Sequence, residues 1–204
     1  MLGRCYRVFG PLLLLVLGPA GEAVAGLYED GDAAFHRKDY AVALDHWRPL
    51  ANAGDARAQL GLAMMYYAGH GVILDYAEAF DWCSKAADQD VPQAYYMLAA
   101  MYRDGKGAAQ DHGKAVTLFR KAADREVPGA QYSLGVMYLT GQGVSTDHRE
   151  AYYWLAIAAT AGDKDAQLRS TAAYMRDQAA SKLDGEQIAQ LNKRIAARPR
   201  PESR

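Results

Sequence analysis

A chain of 204 residues that is 50% apolar and 23% charged has the composition of a globular protein, not of a disordered or fibrous one. Twenty-three Lys and Arg against 24 Asp and Glu leave a formal charge of −1, which removes the electrostatic ground for nucleic acid or an anionic membrane surface as the main partner. Two cysteines are too few for a disulfide framework or a four-cysteine zinc site.

Residues 1–25 read as an export signal. Arg4 and Arg7 make a basic start, Pro11 to Leu17 form a short apolar run, and Ala23-Val24-Ala25 gives a small-x-small cleavage pattern with Gly26 as the new N-terminus. The apolar run is shorter than the roughly 18–20 residues of a spanning helix, so no membrane span is expected after cleavage; retention as an anchor is the alternative. Cleavage would remove Arg4, Arg7 and Glu22 together with Cys5, leaving 21 basic and 23 acidic residues and a net charge of −2. Cys83 would then have no disulfide partner in an oxidising compartment and reads as a buried small apolar residue. The expected location is the periplasm or the cell exterior.

Residues 26–55 follow as an N-terminal capping pair, with helices expected at 27–37 and 40–53. Asp39, Ala43 and Ala51 already keep the register of what comes next. From residue 56 the sequence repeats every 36 positions, in units 56–91, 92–127 and 128–163. Ala58, Leu62, Met65-Tyr66, Gly69, Gly71, Asp75, Ala79 and Ala86-Ala87 recur at +36 and +72, so that ten of 36 columns are identical in three copies. A fixed period of this length marks a repeat architecture.

Each unit reads as two helices. Ala58, Leu62, Met65 and Tyr66 make one apolar stripe of a first helix. Gly69, Gly105 and Gly141 stand where that helix must end, because glycine adopts the left-handed cap conformation cheaply. Asp75, Asp111 and Asp147 are placed to accept backbone N–H groups at the start of a second helix. Asp75 with Glu78, and Asp147 with Glu150, have the spacing of a reciprocal capping pair, whereas Asp111 has Lys114 instead. Ala79, Trp82 and Ala86 form the apolar face of that second helix. Pro92 and Pro128 open the next first helices.

The array closes differently. Ala166 keeps the register, Tyr174 does not, and no Gly-x-Gly follows. Residues 164–182 and about 184–196 read as closing helices within a C-terminal cap of 164–197, the last one started by Asp184 with Gln187. Residues 198–204 read as a disordered tail.

The run Ala-x-x-x-Leu-Ala/Gly-x-Met-Tyr-x-x-Gly-x-Gly-(x)3-Asp-(x)3-Ala-(x)6-Ala-Ala resembles the Sel-1-like repeat family, a branch of the tetratricopeptide-type solenoids. Ala156 to Ala166 and Glu186-Gln187-Ile188-Ala189 look like the C-terminal close of exported bacterial members. The family usually carries Asn before the repeat leucine, where this chain has Gly61, Met97 and Ser133. The resemblance implies an all-α fold, a right-handed α-solenoid of antiparallel helix pairs. It also implies an adaptor or scaffold that binds a protein or peptide and needs no cofactor.

By analogy with tetratricopeptide grooves, the concave face comprises Leu60, Met64, Tyr67, Tyr96, Ala100, Arg103, Tyr132, Val136 and Leu139. Leu60, Tyr96 and Tyr132 have a second reading, as packing against neighbouring first helices. Tyr67 and Arg103 are expected to face the groove, and Tyr and Arg are frequent interface anchors. His112 and His148, at equivalent positions about 10 Å apart by typical interhelical spacing, are too distant to share a metal and read as surface residues at helix starts. The Gly-x-Gly segments lack the Lys-Ser/Thr and the preceding strand of a phosphate loop. A cysteine-rich branch of the family has been linked to β-lactam hydrolysis, so a penicillin-binding or β-lactam-hydrolysing enzyme is the alternative. The single mature cysteine and the missing Ser-x-x-Lys and Gly-x-Ser-x-Gly motifs speak against it.

Overall fold

A computed structural model describes residues 20–160 and 165–198, the first six of these as backbone only. Most of the expected signal segment 1–25, residues 161–164 and the expected tail beyond residue 198 lie outside the described residues. Ten helices and no strand make up the described chain: α1 Ala20–His36, α2 Tyr40–Asn52, α3 Ala56–Ala68, α4 Tyr76–Asp88, α5 Pro92–Asp104, α6 His112–Asp124, α7 Pro128–Thr140, α8 His148–Ala158, α9 Ala166–Ala180 and α10 Gly185–Ala196. From α1 to α9 each helix packs on the next, and α10 folds back onto α8, so the described chain is an all-α solenoid of helix pairs. The first helix begins at Ala20, ahead of the 27–37 expected from the pattern, and runs through the small-residue cleavage pattern.

The repeated residues build the repeated geometry. The alanines at 58, 94 and 130, at 79, 115 and 151, and at 86, 122 and 158 are fully buried, because a methyl group lets neighbouring backbones approach. Gly69, Gly105 and Gly141 end their helices in the left-handed region, at φ of 68°, 67° and 75°. Asp75, Asp111 and Asp147 cap the second helices through their side chains.

The reciprocal half of that cap is not formed at Glu78 or Glu150. The N–H groups of Asp75, Asp111 and Asp147 donate instead to the carbonyls of Tyr66, Tyr102 and Tyr138, at 2.9–3.0 Å. The capping donor is thus taken by the preceding helix, and Glu150 turns to Arg194. Among the described residues only Asp184 with Gln187 forms the full box, the Asp184 N–H donating to Gln187 Oε1 at 3.0 Å. Asp39 keeps the register but makes no side-chain cap bond.

Successive units are locked at two edges. At one, the second glycine of each Gly-x-Gly lies on the first residue of the preceding second helix. A Cβ on Gly107 would stand 2.1 Å from the carbonyl oxygen of Tyr76, and one on Gly143 2.3 Å from that of His112. The residue between the glycines reaches the same place: His70 stacks on Tyr40 with ring centroids 4.4 Å apart, and Lys106 sits 5.0 Å from the Tyr76 ring. At the other edge, Gln89 Nε2 donates to the carbonyl of Gly54 (3.0 Å). One unit on, Arg125 Nη2 donates to Asp90 (2.6 Å).

Trp47 accounts for the departure from the family's asparagine at residue 61. Its ring is buried between α1 and α3, and a Cβ on either Gly31 or Gly61 would fall 2.6 Å from it. An Asn at 61 would collide with the indole. In the next units the position of Trp47 holds Cys83 and Phe119, and the facing residues are Met97 and Ser133. Burial pushes the Cys83 thiol up to about 12, which makes it an inert core group, with Sγ against the carbonyl of Ala94 at 3.3 Å.

Candidate functional site

The first helices α3 and α5 present a cavity of about 570 Å³ on their shared face. Six of the nine groove residues inferred from the sequence line it: Leu60, Met64 and Tyr67 from α3, and Tyr96, Ala100 and Arg103 from α5. Met64 is 44% exposed and Tyr96 36%, so two large side chains stand open to a ligand. Tyr96 both lines the cavity and packs on the neighbouring first helix. One side of its ring faces the cavity, and the other lies against Gly129, 3.0 Å from where a Cβ would be.

Tyr132, Val136 and Leu139 of α7 are not part of this cavity. They are half-buried and pack on the main core, and α9 lies against α7 and α8 where the repeat pattern would place another first helix. The cavity also takes in residues that register alone did not mark, notably Phe35, His70, Gln93, Met97 and Asp104. Phe35 comes from α1, which lacks the repeat signature and so gives no register from which to place it. His70 is the variable residue of the first Gly-x-Gly.

Of the polar groups at the site, Arg103, Asp104 and Tyr67 are held by neighbours, whereas the Nδ1 of His70 is enclosed without a partner. Arg103 donates to the neighbouring Asp104 twice, at 2.7 and 3.1 Å. This pairing holds the Asp104 carboxyl below the ordinary carboxylate range and raises the guanidinium. Lys106 Nζ donates to the Tyr67 hydroxyl at 3.0 Å, and that bond raises the ammonium. Tyr67 and Arg103 therefore line the groove while being half-buried and already partnered.

Charge is distributed unevenly between the two kinds of helix. The helices α3, α5 and α7 carry three charged residues in all, Arg57, Arg103 and Asp104, whereas α4 carries four, α6 four and α8 two. The cavity lining contains no Ser, Thr, Cys or Lys. It offers apolar area edged by tyrosine hydroxyls, one amide and one imidazole.

Among the described residues no group of three or more His, Cys, Asp or Glu is placed to hold a metal ion, and no helix is long and apolar enough to cross a membrane. His112 and His148 are half-buried, not surface side chains, and the Nδ1 of each is enclosed without a partner. Gly143 is seated closely on the backbone and Cβ of His112.

Comparison with known proteins agrees with this architecture. The Sel1 repeat model matches residues 22–55, 56–91, 92–127 and 128–163. The chain belongs to the Sel1 repeat family. The first matched Sel1 unit is the pair α1–α2, which lacks the Leu-x-x-Met-Tyr pattern of the others. Among solved structures, a Sel1 repeat protein from Oxalobacter formigenes is 26% identical, with a TM-score of 0.63, over 81% of this chain and 74% of that one. A protective antigen present in uropathogenic Escherichia coli strains and displaying an SLR fold is 29% identical, with a TM-score of 0.66, over 85% of this chain. The chain spans 42% of that antigen's length. Among curated proteins there is no match. Sel1 repeats generally mediate protein–protein interaction.

Proposed function

We propose that this chain is an exported, non-catalytic scaffold of the bacterial cell envelope that binds a partner protein through the groove between α3 and α5. The observation that carries the reading is the cavity of about 570 Å³ walled by Met64, Tyr67, Tyr96 and Arg103 on consecutive first helices. Its size is that of a ligand site, and stacked helix pairs present such surfaces on their inner side. Export is supported by the basic start, short apolar run and small-residue pattern of residues 1–25.

The test is affinity capture of the full chain, tagged at its C-terminus and expressed in its native host, with mass spectrometry of what is retained. A reproducible envelope partner is expected, lost in Met64→Glu while helicity by circular dichroism is unchanged. Met64 is partly exposed and makes no side-chain hydrogen bond, so this variant alters the groove and not the fold. Capture that is the same with the folded variant removes the groove reading. The same cells test export, since the retained chain is expected to begin at Gly26.

A further inference from the structure

We infer that the occupant of this groove is a short amphipathic helix that inserts an uncharged apolar face, about two turns long, rather than an acidic, basic or extended peptide. This rests on the groove reading above and specifies its ligand.

The charge pattern argues first. The walls of the cavity come from helices that are almost without charge, and the one ion pair in the lining is closed on itself. Arg103 spends two donors on Asp104, and the Arg103 carbonyl accepts from Gln110 Nε2 at 2.7 Å. The nearby ammonium of Lys106 is held by Tyr67 and lies against the Tyr76 ring. A charged ligand group entering here would leave water for apolar walls and meet only the Arg103–Asp104 pair, whose charges already offset each other. The desolvation cost of such a group would not be offset. Leucine, methionine or aromatic side chains lose nothing by the same transfer and gain from it.

Backbone bookkeeping argues second. An extended peptide brings an unpaired N–H and C=O at every residue, and each must find a partner when buried. Besides Tyr67 the lining offers only the Gln93 amide, the Tyr96 hydroxyl and the unpartnered Nδ1 of His70 for such groups, too few for the successive N–H and C=O groups of a strand, and no exposed strand edge stands among the described residues. Tyr67 already accepts from Lys106. A helix carries its backbone bonds internally and asks the groove only for apolar contact.

Length argues third. From Leu60 to Ala68 the α3 side of the cavity runs eight residues, about 12 Å at the helical rise. That length admits two turns, with anchors at i, i+3 or i+4, and i+7.

The experiment selects ligands instead of assuming one. A phage library of random 12-residue peptides is panned on the full chain, with counter-selection on Met64→Glu. The enriched consensus is then synthesised with and without a central proline, and its affinity is measured by fluorescence anisotropy at 0.15 and 1 M NaCl. The expected consensus has apolar residues at helical spacing and no charge among them. Its affinity changes less than about twofold with salt and falls at least tenfold with proline. A consensus of acidic or basic residues, a proline-tolerant peptide or no enrichment over the variant would overturn the inference. A partner whose capture needs Met64, combined with a charged or extended consensus, would leave the groove reading standing and remove only its ligand.

Discussion

Between α3 and α5 the face of the first helices opens into a cavity, whereas between α5 and α7 the same register is filled by a side chain. The two seams share a backbone plan, since their units are identical at ten of 36 positions, yet two variable columns separate them. At the closed seam Tyr96 meets Gly129, and its ring lies where a longer residue would stand. At the open seam the equivalents are Leu60 and Gln93, a shorter apolar side chain opposite a longer polar one, and the space stays free. A repeat fold thus supplies the stage, and the size of one residue per unit decides where a groove appears.

Because the open seam lacks that central packing, its two edges carry more of the connection between units. One edge is the Gly107 turn on Tyr76, and the largest predicted effect falls there. Gly105 and Gly107 both have positive φ, at 67° and 77°, so an alanine at either suffers the left-handed penalty of about 1–2 kcal/mol. Only at Gly107 does the new Cβ also meet backbone, 2.1 Å from the Tyr76 oxygen, whereas at Gly105 its nearest neighbour is 3.4 Å away. Gly107→Ala is therefore expected to lose about 3 kcal/mol or more, the left-handed penalty together with an overpacking cost, and Gly105→Ala about 1 kcal/mol. Urea denaturation followed at 222 nm measures both. Equal losses would mean that the turn does not bear on Tyr76 as described.

The second prediction closes the open seam. Leu60→Tyr with Gln93→Gly copies the pair found at Tyr96 and Gly129. The copy is expected to fill the cavity and weaken capture of the partner at least tenfold. Its cost in stability is about 1 kcal/mol, chiefly from glycine in a helix. Retained binding at full strength would show that the ligand does not use this space, and the comparison of the two seams would lose its functional meaning.

How much of this was legible in the sequence follows from what the register encodes. Identical columns, such as Ala58, Gly69 and Asp75, fixed helix ends and buried faces, so the solenoid was readable, and six of the nine residues named from the register fall on the lining of one cavity. Tyr132, Val136 and Leu139 were not separable from the others by register, because the contact that closes their seam, Tyr96 on Gly129, lies in variable columns. Phe35 and Trp47 were hidden for a different reason. They belong to a unit whose first helix has lost the pattern, and only the fit of the indole between Gly31 and Gly61 shows why. The unformed capping boxes were illegible too, since the competing acceptors at Tyr66 and Tyr138 come from tertiary placement of the preceding helix.

The smallest effect concerns the other edge of the open seam, where Asp90 joins its unit to the next. Asp90 accepts from Arg125 at 2.6 Å and from the Tyr95 hydroxyl at 2.8 Å, and the Arg125 bond, followed by that of Tyr95, holds its carboxyl below the usual range. A carboxylate depressed in the folded state adds stability above its unfolded pKa of about 3.9, and that stability is lost as pH falls through the lower folded value. Asp90→Asn removes the charge but favours the fold in another way, because residue 90 sits at φ 66° and asparagine enters that region readily. The backbone gain does not depend on pH, whereas the ion pair does. The informative quantity is therefore the change with pH in the difference between wild type and variant. In urea titrations that difference is expected to favour wild type more at pH 7 than at about pH 2.5, below the unfolded carboxylate value. Only a small shift is expected, because the pair is exposed and screened. A difference that stays constant across this range would mean that Arg125 does not bridge the seam through Asp90 in solution.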